Sequence, residues 1–553
     1  MHKNKWYAKW WVKLLGTLIV LVTSLVIYLV IVAKVEPPFI SNTSCLGLQR
    51  VEIYKGAYAI KNSWFRKSKS GLYELYAEGD PFELGVTVGK LTSELVVRQE
   101  DHFNHQITKL IPSQSYQHFL KYVIGWFNRN LDKNISSEYK EEIYGISLSA
   151  SDEYQYIGSN YQRLLNYHAA HDIGHTLQSM ALVGCTSFGT WDTHSKDSSM
   201  LIGRNFDFYV GDGFAEDKII AFINPTNGYK FMTVTWGGFI GAVSGMNDQG
   251  LTVTINAAKS GIPSGSATPV SLVAREILQY AKNINEAFEI AKKREVFVSE
   301  SFLISSAQDR KAVLIEKTPT ELAMFDPRKD YIISTNHFQS NEFKKQKDNN
   351  YQISNSASSY RYKRVAELLN TSKDNTVEKT ISILRDQKGL DNKDIGMGNE
   401  KAINQLIAHH SIVFEPEKLR VWISTTPWQL GQFVSYDLHK IFSMKGIKNN
   451  EEIIVDSLTI PADSFLLTND CKNFFKFRSY KMKIDSGEYV DPANIVASNP
   501  NLYQAYVLAG NELIKGNKID LGLNYLQQAL TKEVATKDEE KQIRSIIQKY
   551  SNK

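Results

Sequence analysis

Cysteine is scarce in this sequence: three residues, Cys45, Cys185 and Cys471, in 553. That excludes a disulfide-dense scaffold and a multi-cysteine zinc site. A surplus of charge is also missing. Lys and Arg total 64, Asp and Glu 59, for a net charge of +5. Four of the lysines (Lys3, Lys5, Lys9, Lys13) lie in the first thirteen residues, which hold no acid; without them the balance is 60 against 59. A nucleic-acid binder needs a concentrated basic face, and the body of the chain shows none. No Walker A loop, dinucleotide fingerprint or G-x-S-x-G elbow is present. What remains is 42% hydrophobic and 22% charged, a globular composition.

One long apolar run stands out. Leu14 to Ala33 is twenty residues without a charge, long enough for a hydrocarbon core of about 30 Å. The lysines precede it, beside Trp6, Tyr7, Trp10 and Trp11. The positive-inside rule puts that end in the cytoplasm and everything after Pro38 outside it. A cleaved signal peptide competes with this reading, but Lys34-Val35-Glu36-Pro37-Pro38 follows where a small-x-small cleavage site belongs. A buried core helix is the third reading. We take 1–38 as a cytoplasmic tip and membrane anchor.

Residues 39–184 read as mostly helical, after a linker over 36–60 that enters a strand. Apolar residues recur at helical spacing over Phe82–Arg98, Gln114–Asn128, Glu138–Ala150 and Tyr161–Met180. From Gly184 the texture turns to short β-rich runs, broken by helix pairs near Val270–Lys282 and Ile284–Arg294, and near Ser359–Asn370 and Val377–Asp386. Strands interleaved with paired helices indicate an α+β layered fold over 185–440. After a connecting segment, 441–495, the tail 496–553 holds two helices, Leu502–Lys515 and Ile519–Thr531. Gly510, Gly522 and Ala529 sit at small-residue positions between them, so the pair resembles one tetratricopeptide hairpin. A single repeat cannot bury its own apolar face. It must cap the main domain or receive a protein partner.

The chemistry concentrates after Val183. Gly184-Cys185-Thr186-Ser187-Phe188-Gly189 opens the β-rich region. Gly203-Arg204-Asn205-Phe206-Asp207 follows, then the strand Leu251–Asn256, then Ser334-Thr335-Asn336-His337, then Ser358-Ser359-Tyr360-Arg361. Each is weak alone: a lone cysteine is more often a small buried hydrophobe than a nucleophile. In this order they resemble the N-terminal-nucleophile cysteine amidohydrolases, a group that includes penicillin V acylase, bile-salt hydrolase and acid ceramidase. The isopenicillin N acyltransferase branch is the most similar. Its pro-segment carries a motif like Glu78-Gly79-Asp80-Pro81-Phe82-Glu83-Leu84-Gly85, and its closing strands resemble Ser411–Phe414 and Arg420–Ser424.

The resemblance implies an αββα sandwich behind a helical pro-segment, and cleavage of the Gly184–Cys185 bond by Cys185 itself. A cysteine at a new N-terminus carries its own base, because thiol and α-amine titrate at about 8.5 and about 8. The implied roles follow by position. Cys185 is nucleophile and base. Arg204 favours its thiolate. Asp207 orients the α-amine, Asn336 and Asn256 serve the oxyanion, and Arg361 braces the site. The reaction implied is amide cleavage through a Cys185 thioester, released by water or an acceptor amine. The substrate is a small-molecule or lipid N-acyl amide, and no metal or cofactor is required.

Other arrangements carry less. His168, His171 and His175 would share a helix face, as zinc ligands can, but three such histidines are more often incidental. A papain-like pair of Cys185 with His337 or His194 lacks the local papain signature. Gly261-Ile262-Pro263-Ser264-Gly265-Ser266 reads as a flexible loop. Outside the cytoplasm Cys45 and Cys471 are either a disulfide or two free thiols. Two functional alternatives stand beside the amidase: a non-catalytic acylase-like surface protein whose tail recruits a partner, and a lipid amidase or phospholipase-like hydrolase on the same core.

Overall fold

The computed structural model describes residues 4–177, 184–209, 211–259, 261, 263, 265–371 and 373–551; the side chains of 4–9, 110, 171 and 173–177 are not described. Two sheets form its centre, one of eleven strands and one of six. The larger runs as a meander through Ile219–Pro225, Phe231–Thr235, Ser244–Asn247, Leu251–Ala257, Glu300–Ser306, Lys311–Lys317 and Leu322–Phe325. The smaller has the order Tyr331–Ser334, Thr186–Asp192, Ser198–Phe206, His410–Glu415, Arg420–Ser424, Phe433–Asp437.

Strand periodicity sorts the side chains into layers. Ile220 and Phe222 join Ile412, Phe414, Val421 and Ile423 in a core between the sheets. Their neighbours Ile219, Ala221 and Ile223 point the other way, into a core shared with helices Val270–Tyr280 and Ile284–Lys293. Beyond the smaller sheet, Phe188, Val413 and Trp422 pack with helices Ser358–Thr371 and Val377–Leu384. The result is helix, sheet, sheet, helix. Glu300–Ser306 and Leu251–Ala257 are buried along their whole length, their polar residues included.

The segment before Gly184 differs from the helical expectation. Its helices are present, at Pro81–Leu91, Ser93–Leu110, Gln114–Phe127, Ser137–Ser147 and Asn160–Leu177. Ahead of them lie four strands, Val51–Tyr54, Ala57–Ile60, Ser63–Lys67 and Tyr73–Gly79, that complete the larger sheet. Tyr73–Gly79 runs beside Ile219–Pro225 in the one parallel strand pair among the described residues. Buried charge hides these strands from a hydrophobicity pattern. Arg66 Nε donates to Glu74 Oε2 at 2.8 Å with both side chains buried, and the Tyr436 hydroxyl donates to Glu74 Oε1 at 2.9 Å. A second buried pair crosses the Gly184–Cys185 junction: Arg275 holds both oxygens of Glu142, at 3.1 and 3.3 Å. Residues before and after that junction therefore share one sheet and one core.

The apolar run lies in the helix Asn4–Val32. Over Trp10–Val32 it is long and apolar enough to cross a membrane, and none of it is buried in the protein. That overturns the core-helix reading and suits either an anchor or a signal sequence. The tail is more helical than the sequence indicated. Asn469–Asp485 and Pro492–Ser498 precede the expected pair, found at Tyr503–Lys515 and Ile519–Ala529, and Lys537–Ser551 follows it. This unit docks on the main body, burying Phe474, Tyr503, Leu526 and Ile543 with Leu406, Trp428 and Leu430. Cys45 and Cys471 are buried free thiols.

Gly85 and Gly145 have a packing reason. Helices Pro81–Leu91 and Ser137–Ser147 cross in backbone contact. A Cβ on Gly85 would lie 2.1 Å from the Glu142 carbonyl oxygen, and one on Gly145 would lie 2.5 Å from the Val86 nitrogen. Gly85→Ala should therefore cost about 1–3 kcal/mol of stability through overpacking. A drop in urea midpoint checks this, and an unchanged midpoint would mean the crossing can open without cost.

Candidate active site

Cys185 directly precedes the strand Thr186–Asp192, which pairs with Ser198–Phe206 in a register that sets Ser187 opposite Arg204. This hairpin brings Arg204 Nη2 to 3.7 Å from Cys185 Sγ. Both residues are fully enclosed. The Arg204 guanidinium also donates to the carbonyls of Val243 and Ile255 and to Ser244 Oγ, all on the facing sheet, and its carbon lies 4.6 Å from the Phe206 ring centre. Burial pushes the Cys185 thiol up to about 11; Arg204 opposes the rise and Asp207 adds to it.

Asp207 follows the same strand. Its main-chain oxygen accepts from the Gly184 N–H at 3.1 Å. Its carboxylate oxygen Oδ2 accepts from Gln405 Nε2 at 3.3 Å, and the buried Oδ1 has no hydrogen-bond partner among the described residues. Gln405 Nε2 also donates to the Gly184 carbonyl oxygen at 2.7 Å. Nothing in the sequence singled out Gln405, which lies in a loop without a motif.

Asn336 lies just past Tyr331–Ser334. Its Nδ2 donates to the Ala257 carbonyl at 2.9 Å, and its Oδ1 accepts from Arg361 Nη2 at 2.5 Å. Arg361 Nη1 reaches the Glu400 carbonyl at 3.2 Å. Ser358 Oγ accepts from the Asn336 N–H at 2.8 Å. Asn256 is differently engaged: its Nδ2 donates to the carbonyl and the hydroxyl of Ser334, at 3.0 and 3.1 Å. Its side chain thus bridges the two sheets.

The histidines are occupied elsewhere. His337 Nδ1 lies 2.8 Å from Ser358 Oγ and 3.1 Å from Thr335 Oγ1. Burial and the Arg361 charge push it down to about 4. His194 packs against the Tyr331 ring. His168 accepts from the Ile240 N–H at 3.0 Å, while its Nδ1 meets the Leu164 carbonyl at 2.8 Å, and burial holds it neutral with a pKa near 4. His171 and His175 fall outside the described side chains. Among the described residues no cluster of His, Cys, Asp or Glu could hold a metal ion. Asp172 accepts from the Val270 N–H at 2.9 Å, a carboxylate at a helix N-terminus. Of the loop 261–266, Ser266 is pinned to the Phe127 carbonyl by its N–H at 3.0 Å.

Burial raises the Asp207 carboxyl to about 7, with Arg361 and Arg204 pulling it down. A carboxyl whose folded pKa exceeds the unfolded value of about 3.9 binds more protons folded than unfolded. Its contribution to stability is present below the lower value and lost as pH rises towards the higher one. In an uncut Cys185→Ala background, Asp207→Asn should therefore flatten the fall in urea midpoint between about pH 4 and about pH 7. An equally steep fall with and without Asp207 would assign the pH dependence to another group.

Residues 193–426 match the family model described as acyl-coenzyme A:6-aminopenicillanic acid acyl-transferase. The span takes in Arg204, Asp207, Asn256, Asn336 and Arg361 and begins after Cys185. An uncharacterized protein of Archaeoglobus fulgidus is 26% identical over 254 residues, 44% of this chain and 42% of that protein, so the match spans less than half of its relative. Similar solved structures include the Caenorhabditis elegans ortholog of N-acylethanolamine-hydrolyzing acid amidase (16% identity, 42% of this chain, 93% of that one, TM-score 0.31). Conjugated bile acid hydrolase of Clostridium perfringens, as its R18L variant, gives 15% identity over 49% and 96% of the two chains, TM-score 0.33. Penicillin V acylase of Agrobacterium tumefaciens gives 15% over 46% and 87%, TM-score 0.32. Over residues 193–426 the chain matches the acyl-coenzyme A:6-aminopenicillanic acid acyl-transferase family model, in line with the resemblance read from the motifs.

Proposed function

We propose that this protein is a cysteine amidohydrolase or acyltransferase that cuts its own Gly184–Cys185 bond. The freed Cys185 then cleaves a linear N-acyl amide. One observation carries the reading. Cys185 Sγ, the Arg204 guanidinium and the Asp207 carboxylate meet at the buried Gly184–Cys185 junction, and one Asp207 oxygen there has no partner among the described residues. An unsatisfied buried carboxylate oxygen is costly. An α-ammonium group created at Cys185 is the donor it lacks.

The chemistry then follows from the residues. In turnover, the α-amine takes the thiol proton and the thiolate adds to the substrate carbonyl. Arg204 favours the thiolate against the effect of burial. Asn336 Nδ2, held by Arg361, is the side-chain donor for the oxyanion. The C–N bond breaks as the leaving amine takes the proton, which leaves a Cys185 thioester. Water or an acceptor amine then releases the acyl group. His337 takes no part.

The purified protein should resolve on a denaturing reducing gel into chains 1–184 and 185–553, while staying together in native solution, because strand pairing and the Glu142–Arg275 pair cross the cut. Cys185→Ala should remain one chain. Among processed variants, Asn336→Ala should lose about 100-fold in kcat/KM, the scale of one oxyanion donor. Asp207→Asn should fall sharply and His337→Ala only slightly. A dead His337→Ala beside a near-normal Asp207→Asn would sink the mechanism.

We also read the helix Asn4–Val32 as a membrane anchor with the catalytic body outside the cytoplasm. Its exposed apolar surface supports this, and so does its neighbour. Ala33, at the end of that helix, lies against Gly125 of the helix Gln114–Phe127. That second helix exposes Tyr116, Phe119, Val123 and Trp126, a single stripe at helical spacing. A bilayer surface at the end of the first helix would cover it. Protease added to intact cells, or to spheroplasts where an outer membrane exists, should digest the chain beyond Pro38. Protection until lysis would reverse the orientation.

A further inference from the structure

We propose that Gln405 activates the scissile carbonyl in self-cleavage: its side-chain N–H is the oxyanion donor for attack of Cys185 on Gly184. The inference rests on the reading of Cys185 as a self-processing nucleophile and deepens it.

Three observations carry it. First, Gln405 Nε2 donates to the Gly184 oxygen at 2.7 Å, the distance such a donor needs. The Gly184 N–H is held by the Asp207 carbonyl at 3.1 Å, so Gly184 is gripped at its N–H and at the carbonyl to be attacked. Second, Gly184 is shaped to Gln405. A Cβ there would stand 2.2 Å from Gln405 Nε2 and 2.7 Å from its Cδ. Glycine at this position lets the amide reach the carbonyl. Third, Gln405 is buried and its backbone is fixed on both sides. Asn404 receives the Leu406 N–H on its Oδ1 at 3.0 Å and donates its own N–H to the Asp386 carbonyl at 2.9 Å. Leu406 is locked into the core shared with the helical tail.

The step balances without any outside reagent. Cys185 Sγ adds to the Gly184 carbon, and the oxygen takes up negative charge facing Gln405 Nε2. The C–N bond breaks, the thiol proton ends on the released Cys185 nitrogen, and a thioester joins Gly184 to Sγ. Water then hydrolyses it to the Gly184 carboxylate and the free thiol.

The test follows conversion of full-length precursor, made by cell-free synthesis, on reducing gels. Wild type should convert and Cys185→Ala should not. Gln405→Met keeps the volume but lacks the donor, and Gln405→Asn withdraws it by one methylene. Each should slow conversion by about 100-fold, with urea midpoints matching that of Cys185→Ala. Hydroxylamine, which captures thioesters, should not restore the rate, because the slowed step comes before the thioester. If either folded variant converts within a few-fold of wild type, or if hydroxylamine restores the rate, the Gln405 assignment is wrong while self-cleavage stands. If wild type never converts, or Cys185→Ala does, self-cleavage itself is wrong. The two failures are distinct.

Discussion

A fully buried guanidinium governs this structure. Arg204 belongs to the smaller sheet, yet its Nη donors end on Val243, Ser244 and Ile255 at the larger one, while Nε has no hydrogen-bond partner among the described residues. A buried charge costs more with every donor left unsatisfied. The two sheets must therefore meet in the register that presents those acceptors. That same register leaves Nη2 beside Cys185 Sγ. Closing the sandwich and assembling the site are one packing event, and a sheet slipped by one residue would strand the charge.

Around that charge, burial and electrostatics oppose each other. Enclosure raises both the Cys185 thiol and the Asp207 carboxyl, and the arginines pull each of them back. The uncut chain thus holds a weakly acidic thiol next to a carboxyl poised near neutrality. Neither is a good reagent alone. A new α-amine at Cys185 would change both at once, giving the thiol a base and the carboxylate a cation. The proposed self-cleavage answers this deficit, because it supplies at Cys185 the group that the intact peptide bond withholds.

The site was more legible in the sequence than the layers around it. Cys185, Arg204, Asp207, Asn336 and Arg361 lie at strand ends or on one helix, where short motifs survive as blocks, and the structure gathers all five. Asn256 is gathered too, but with its amide spent on Ser334. Gln405 escaped because its place is fixed by Asn404 and by burial of Leu406, and neither leaves a periodic trace. Among the elements, strands that alternate aliphatic and mostly β-branched polar residues, such as Leu251–Ala257, were readable nearly to the residue. Ser63–Lys67 and Tyr73–Gly79 were not, because Arg66 and Glu74 occupy core positions and satisfy each other there. The segment 441–495 read as a connector, since Asn469–Asp485 carries Lys, Arg and Asp on its exposed faces and buries only Cys471, Phe474 and Phe477.

The tail connects to this logic through Arg361. Its Nη1 is held by the Glu400 carbonyl, and the Glu400 carboxyl, raised to about 8 mainly by burial, feels Glu539 on the last helix. Lys401 beside it pairs with Glu533 of the tail at 2.6 Å. Met397 exchanges hydrogen bonds with Asn499, at 3.1 and 2.8 Å. The stretch from Met397 to Leu406 is thus clamped by the tail on one side, and on the other it supplies both the brace of Arg361 and the amide of Gln405. Arg361 and Gln405 thus depend on a short loop with no regular hydrogen-bond ladder of its own. Such a loop keeps its geometry only when something packs over it. The C-terminal helices do that, so the unit that looked like an appendage in the sequence forms the outer wall of the site.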